Sequence, residues 1–130
     1  MATTASEWLL DTSIFVDVLR GVGVARDWID SIPKGQLYLS VITAAELLAG
    51  CRSKAEQRVI ERELALYDIV WLTEAVSETA LEWYKQYRLS HGTGFLDCLI
   101  GASASHEALT LATLNIKHFP FPDLQAVRPY

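Results

Sequence analysis

Three carboxylates stand where an apolar environment would rather exclude them: Asp11, Glu46 and Asp97. Asp11 ends the run Trp8-Leu9-Leu10, Glu46 lies between Ala44-Ala45 and Leu47-Leu48-Ala49, and Asp97 sits between Phe95-Leu96 and Cys98-Leu99-Ile100. A lone carboxylate in such surroundings costs several kcal/mol or titrates to neutral, so buried acids are usually paired or bound to a cation. Two carboxylates ~4 Å apart repel by about 4 kcal/mol at an effective dielectric of ~20, so a cluster stays ionised only beside compensating positive charge. Oxygen-only ligation by Asp and Glu suits Mg²⁺ or Mn²⁺, whereas zinc favours His and Cys.

Each acid also has a plainer reading. Asp11 precedes Thr12-Ser13 and suits the N-cap of the helix that follows, a role that leaves one carboxylate oxygen for a ligand. Thr43-Ala-Ala-Glu46 fits a capping box, unless Ser40 is the cap and Glu46 lies beyond the first turn. Asp97 is a first-turn acid if Gly94 is the N-cap. Its face continues through Gly101 and Ala104, small residues that leave room for another backbone or a ligand to approach.

The elements around these acids alternate. Strands are expected at residues 8–10, 37–39, 69–72 and 110–113, with a possible fifth at 125–127. Helices are expected at 12–20, 24–32, 42–51, 53–67, 73–89 and 94–108. Such alternation predicts an α/β chain with a central parallel sheet of four to five strands flanked by helices, an α/β/α sandwich. In such sheets ligands gather beyond the carboxyl ends of the strands, where Asp11 and Asn115 both fall.

With 130 residues, 51% of them hydrophobic, the chain fits one domain spanning 1–130. The 16 acidic against 11 basic residues give a formal charge of -5, so no basic surface announces nucleic acid. A polyanionic substrate would need some of the acids masked by metal or by a cationic partner. Cys51 and Cys98 lack metal-ligand spacing and read as core residues of a reducing compartment. Met1–Glu7 shows no secretory leader, and the apolar stretch after Phe95 is broken by Asp97, His106 and Glu107, so a cytoplasmic protein without a membrane span is expected.

Among the bases, Arg20, Arg52, Lys54 and above all Lys117 are placed to meet a phosphate, whereas Arg58 and Arg62 read as surface partners of Glu56, Glu61 and Glu63. The four tryptophans read as core, and His91, His106 and His118 as structural or surface residues.

Four ordered segments carry a resemblance. Leu9-Leu10-Asp11-Thr12-Ser13-Ile14-Phe15, Ser40-Val-Ile-Thr43-Ala-Ala-Glu46-Leu47, Gly94-Phe95-Leu96-Asp97-Cys98-Leu99-Ile100-Gly101-Ala102 and Thr113-Leu114-Asn115-Ile116-Lys117-His118-Phe119 resemble the PIN-domain ribonucleases, and the VapC-type toxins of bacterial toxin–antitoxin pairs in particular. The resemblance implies an endoribonuclease dependent on Mg²⁺ or Mn²⁺, with Asp11, Glu46 and Asp97 in the family's acidic cluster. Asn115 fills the fourth acidic position, which puts a second metal in question, and His118 replaces an acid often found near that phenylalanine. A metal-activated water would attack phosphorus in line, leaving a 5′ phosphate and a 3′ hydroxyl. Asp11 and Asp97 would ligate, Glu46 would ligate or orient the water, and Thr12, Ser13 or Thr113 would bond the phosphate. The resemblance further implies an RNA substrate, a small cognate antitoxin packed over the helices near the first strand, and a homodimer.

Two other classes fit parts of the pattern. One is another acid- and metal-dependent phosphoesterase, although an aspartyl-nucleophile phosphatase would want Asp where Ser13 stands. The other is a non-catalytic module that only forms complexes, an idea that Asn115 encourages.

Overall fold

In the computed structural model, which describes residues 7–130, β1 (Trp8–Leu10) lies at the centre of a five-stranded sheet of order β3-β2-β1-β4-β5. The leader reading rests on Met1–Glu7 and, apart from Glu7, lies outside the described residues. Every neighbouring pair of strands is parallel: β2 (Leu37–Ser40) flanks β1 on one side and carries β3 (Asp68–Val70). On the other side β4 (Thr110–Ala112) carries the short β5 (Ala126–Val127). The chain thus builds outward from β1 in one direction, then returns and builds in the other. The reversal falls between β1 and β4, and a crevice opens at such a switch point beyond the strands' carboxyl ends.

Side chains alternate across the sheet, which sorts the core into two layers. Leu9 and Leu111 face one cluster, with Val76, Ala80, Cys98 and Ile100 of α5 (Glu74–His91) and α6 (Phe95–His106). Leu10 and Ala112 face the other, with Ile14, Phe15 and Ala25 of α1 (Thr12–Leu19) and α2 (Gly23–Asp30), and Ala44 and Leu47 of α3 (Val41–Ala49). Leu9 and Leu10 are both fully buried, which stabilises the fold by roughly 1.5–3 kcal/mol per side chain. This is the α/β/α arrangement expected from the alternation, with all five strands present.

Three of the helices, α3, α4 (Lys54–Leu64) and α5, start where a hydroxyl side chain caps them. Ser40 Oγ accepts from Ile42 N at 3.1 Å, Ser53 Oγ from Glu56 N at 3.1 Å before α4, and Thr73 Oγ1 from Val76 N at 3.1 Å before α5. Ser40 therefore opens α3, and the Thr43–Glu46 capping box does not form. The α5 helix ends on Gly92, whose φ of 65° suits a residue without Cβ.

Several expectations need correction. β3 runs over Asp68–Val70, not 69–72; Trp71 leaves the sheet and is 65% exposed, because β2 ends at Ser40, the partner of Val70. The other three tryptophans pack against the two core clusters. At Gly101 the small face of α6 is filled by a side chain: a Cβ there would lie 3.0 Å from Phe121 Cδ2, so that gap belongs to the Phe121 ring. On α4, Glu63 is not a surface partner of its own helix. It pairs with Arg26 of α2 at 2.6 Å and accepts from the Tyr67 hydroxyl. Arg58 and Arg62 form no ion pair among the described residues. Cys98 is buried and Cys51 half-buried, both as free thiols. No helix among the described residues is long and apolar enough to cross a membrane.

Candidate active site

The crevice at the switch point is built on Asp11. Its backbone occupies the N-cap of α1, but its carboxylate makes no capping bond. Instead Oδ2 accepts two hydroxyls, Ser13 Oγ at 2.8 Å and Thr113 Oγ1 at 2.8 Å. Each of those oxygens in turn accepts a backbone N–H from the segment after β4: Leu114 N reaches Ser13 Oγ at 3.1 Å, and Asn115 N reaches Thr113 Oγ1 at 2.9 Å. Asp11 is only 4% exposed, so these bonds replace the water it has lost. The web fixes one carboxylate oxygen, Oδ2, while the other has no side-chain donor among the described residues.

Glu46 reaches the same crevice from α3. Because Ser40 caps that helix, Glu46 lies beyond the first turn and its carboxylate has no backbone N–H to satisfy. Thr12 Oγ1 donates to Glu46 Oε1 at 2.9 Å and also contacts Thr43 Oγ1 at 3.1 Å. Thr43 is fully buried on α3 and was not singled out from sequence; nothing in its local pattern marks it, since its role is to steady a threonine 31 residues away.

Asp97 enters from the first turn of α6, whose N-cap is Gly94. Burial, followed by the charge of Asp11, pushes its carboxyl up to about 6; Glu46 adds to the rise and His118 opposes it. Like charges from β1, α3 and α6 therefore act on one another across the crevice. His118 Nδ1 stands 3.5 Å from Asp97 Oδ2, presented by a short 3-10 turn over Ile116–His118. His118 is thus more than a surface histidine: its imidazole contacts Asp97 across two elements. Sequence spacing gave no hint of it, because the two residues belong to different elements.

Asn115 and Lys117 lie on the rim, both exposed. With His118 and Arg128 they line a cavity of about 290 Å³ beside the acids. Thr113 is fully buried, with its hydroxyl committed to Asp11. Among the described residues, no three His, Cys, Asp or Glu side chains form a ready-made metal cage. Asp97 feels the charges of Asp11 and Glu46, and each of the three acids contacts a neighbouring hydroxyl or imidazole group.

A buried parallel sheet, a switch-point crevice and acids converging from three elements define a nuclease-like α/β/α class. A PIN domain match spans residues 8–121, and the chain belongs to the PIN domain family. Ribonuclease VapC10 of Mycobacterium tuberculosis is 43% identical over 114 residues, covering 86% of this chain and 85% of that protein. Ribonuclease VapC19 of the same organism is 37% identical over 123 residues, covering 90% and 96%. Among solved structures, a toxin–antitoxin complex from Klebsiella pneumoniae superposes with a TM-score of 0.79 at 25% identity, covering 98% of both chains. FitAcB from Neisseria gonorrhoeae gives a TM-score of 0.76 at 28% identity, covering 94% of this chain and 97% of that one.

Proposed function

We propose that this protein is the endoribonuclease toxin of a toxin–antitoxin pair, acting in the cytoplasm on RNA with the help of Mg²⁺ or Mn²⁺. What supports the reading is the electrostatic coupling of Asp97 to Asp11 and Glu46, together with its 3.5 Å contact with His118 Nδ1. Their relatives named as ribonucleases support the substrate class. The donor set fits a hard divalent cation: all three candidate ligands are carboxylates, and both free cysteines lie outside the set.

Asp11 and Asp97 are the proposed direct ligands, and Glu46 either ligates or orients water. When bound, such a cation lowers the pKa of a nearby water and neutralises phosphate charge. The chain's own residues do the positioning. Ser13 and Thr113 lock the rotamer of Asp11, Thr12 steadies Glu46, and His118 draws Asp97 towards its ionised form. Those hydroxyls donate to carboxylates, so we assign Thr12, Ser13 and Thr113 to orienting the acids more than to gripping phosphate. Lys117 remains the proposed phosphate contact, and Asn115 supplies a neutral amide where a fourth acid would add charge.

The proposed antitoxin segment fits the groove between α1, α3 and α4. Val16, Leu19, Leu47, Val59 and Ile60 line a cavity of about 510 Å³ there, and Glu46 lies at its edge. An occupant with an apolar helical face and a basic residue at that edge would cover the acids. The exposed Leu89, Phe95 and Leu96 offer an apolar surface for a second copy.

Cleavage of structured RNA by the purified chain, titrated with Mg²⁺ and Mn²⁺ and compared with Asp97→Asn, tests the proposal. Metal-dependent cleavage lost in the variant supports it. Activity on small phosphoesters alone favours a general phosphoesterase, and inactivity towards both with tight partner binding favours a complex-forming module.

A further inference from the structure

The acidic crevice repels RNA, and a chain of formal charge -5 offers no general attraction to offset this. Positive charge must therefore be placed locally. We propose that Arg128, acting with Lys117, forms a phosphate subsite on the β5 side of the crevice, holding an RNA phosphate that flanks the one at the acids. This inference rests on the ribonuclease reading.

The sheet decides where Arg128 goes. β5 pairs in parallel with β4, Ala112 opposite Val127, and Thr113 N donates to Val127 O at 3.0 Å. Arg128 therefore leaves the sheet at the same carboxyl edge as Asp11 and Asn115, two strands from β1, or roughly 10 Å at normal strand spacing. The segment that carries it is tied down on both sides. Val127 is held by β4, and the Tyr130 hydroxyl donates to Asp17 Oδ2 of α1 at 2.9 Å. The guanidinium lies near the rim segment, with Nη1 3.5 Å from Leu114 O, a long contact.

Arg128 and Lys117 face the same 290 Å³ cavity, near the low end of the ~300–1,000 Å³ typical of small-ligand pockets and suited to one nucleotide's backbone. Neither is ion-paired with a carboxylate among the described residues, whereas Arg26 is bound to Glu63 and Lys85 to Glu82. His118, which also lines the cavity, is already engaged with Asp97 and connects the subsite to the acids. A guanidinium with only one long carbonyl contact keeps its N–H groups for phosphate oxygens, the pairing its planar fork suits best.

The test measures binding of a single-stranded RNA oligonucleotide to the Asp97→Asn protein, so that cleavage does not intervene, from 50 to 200 mM KCl. Each phosphate contact adds about 0.7 to the slope of log affinity against log salt, so Arg128→Gln should lower the slope by about 0.7 and the double change with Lys117→Gln by about 1.4. In the otherwise native protein, Arg128→Gln should raise KM about tenfold and leave kcat within about twofold, and Arg128→Lys should restore most of the salt slope. Lys34→Gln, on the opposite edge of the sheet, should change nothing. An unchanged slope in the double variant, while the native chain still cleaves RNA, overturns the subsite alone. So does a fall in kcat at constant KM. A native chain that neither binds nor cleaves RNA overturns the ribonuclease reading and the subsite with it.

Discussion

Thr113 Oγ1 donates to Asp11 Oδ2 at 2.8 Å across 102 residues of sequence, in a fully protein-lined environment. This bond joins the ends of β1 and β4, the two strands between which the chain reverses direction. The same oxygen accepts Asn115 N, so one hydroxyl sets both the acid's rotamer and the path of the rim segment.

Thr113→Val keeps the shape and removes the hydroxyl. It leaves Asp11 with one donor instead of two and orphans Asn115 N. The expected loss is about 1–3 kcal/mol, read as a lower urea midpoint at unchanged m-value. Thr113→Ser should recover most of it. Should the valine variant match the native midpoint, the web around Asp11 contributes nothing to stability.

Asp97 makes stability depend on pH in a definite direction. Its carboxyl is raised from an ordinary 3.8 to about 6 by burial and by the charges of Asp11 and Glu46, partly offset by His118. The folded state therefore binds a proton more tightly than the unfolded chain does. Stability from this group is present below about pH 4 and is lost as pH rises through 6. Metal-free Asp97→Asn should then be the more stable protein at pH 7, by about 1–2 kcal/mol after allowance for partial solvent screening, and should match the native chain near pH 4. Denaturation of both proteins across this range in chelator reads the difference directly.

A divalent cation should reverse that ranking. At neutral pH, added Mg²⁺ or Mn²⁺ should raise the melting temperature of the native protein and leave Asp97→Asn nearly unmoved. The shift should shrink below about pH 6, where protons compete for the same carboxylate. A native melting temperature indifferent to both metals at pH 7.5 would falsify the proposed cation site.

Thr12 should matter to the reaction more than to folding. Thr12→Val frees Glu46 Oε1 while leaving an exposed carboxylate in water, so stability should move by less than about 1 kcal/mol. Cleavage under single-turnover conditions should slow by about 10–100-fold, the usual loss when a residue supporting a metal-site carboxylate is removed. Thr12→Ser should rescue it. Glu46→Gln should be at least as slow as the valine variant, and an ordering the other way would place Glu46 outside the site.

Gly101 tests the packing behind the acids. An alanine Cβ would meet Phe121 Cδ2 at 3.0 Å and Cε2 at 3.1 Å, and that ring cannot easily yield because it stacks on Trp83 at 4.3 Å. Crowding of about 1–3 kcal/mol should outweigh the gain of about 1 kcal/mol in helix propensity. Thermal unfolding should show Gly101→Ala to be the less stable protein, with a stabilised variant as the contrary result.

Local pattern alone located most of the scaffold. The alternation of short apolar runs with amphipathic segments was enough for a parallel sheet between helix layers, since only burial on both faces makes runs such as Trp8-Leu9-Leu10 sensible. The one misplaced strand failed for a physical reason: Trp71 and Leu72 are as apolar as Ile69 and Val70, and only the length of β2 decides where pairing stops. Gly101 failed likewise, because a small residue signals close approach without saying by what.

The sequence by itself determined which acids stand in apolar surroundings and which elements carry them, because burial preference and periodicity act over a few neighbouring residues. Tertiary structure alone decided the partners: Thr113 for Asp11, Thr12 for Glu46, His118 for Asp97 and Arg128 for the rim. These pairs lie 21 to 102 residues apart where the structure records a contact, and hydrogen bonds and charges act on distance in space. No local spacing encodes that distance; it is set when β1 and β4 come side by side and bring their carboxyl ends to one crevice.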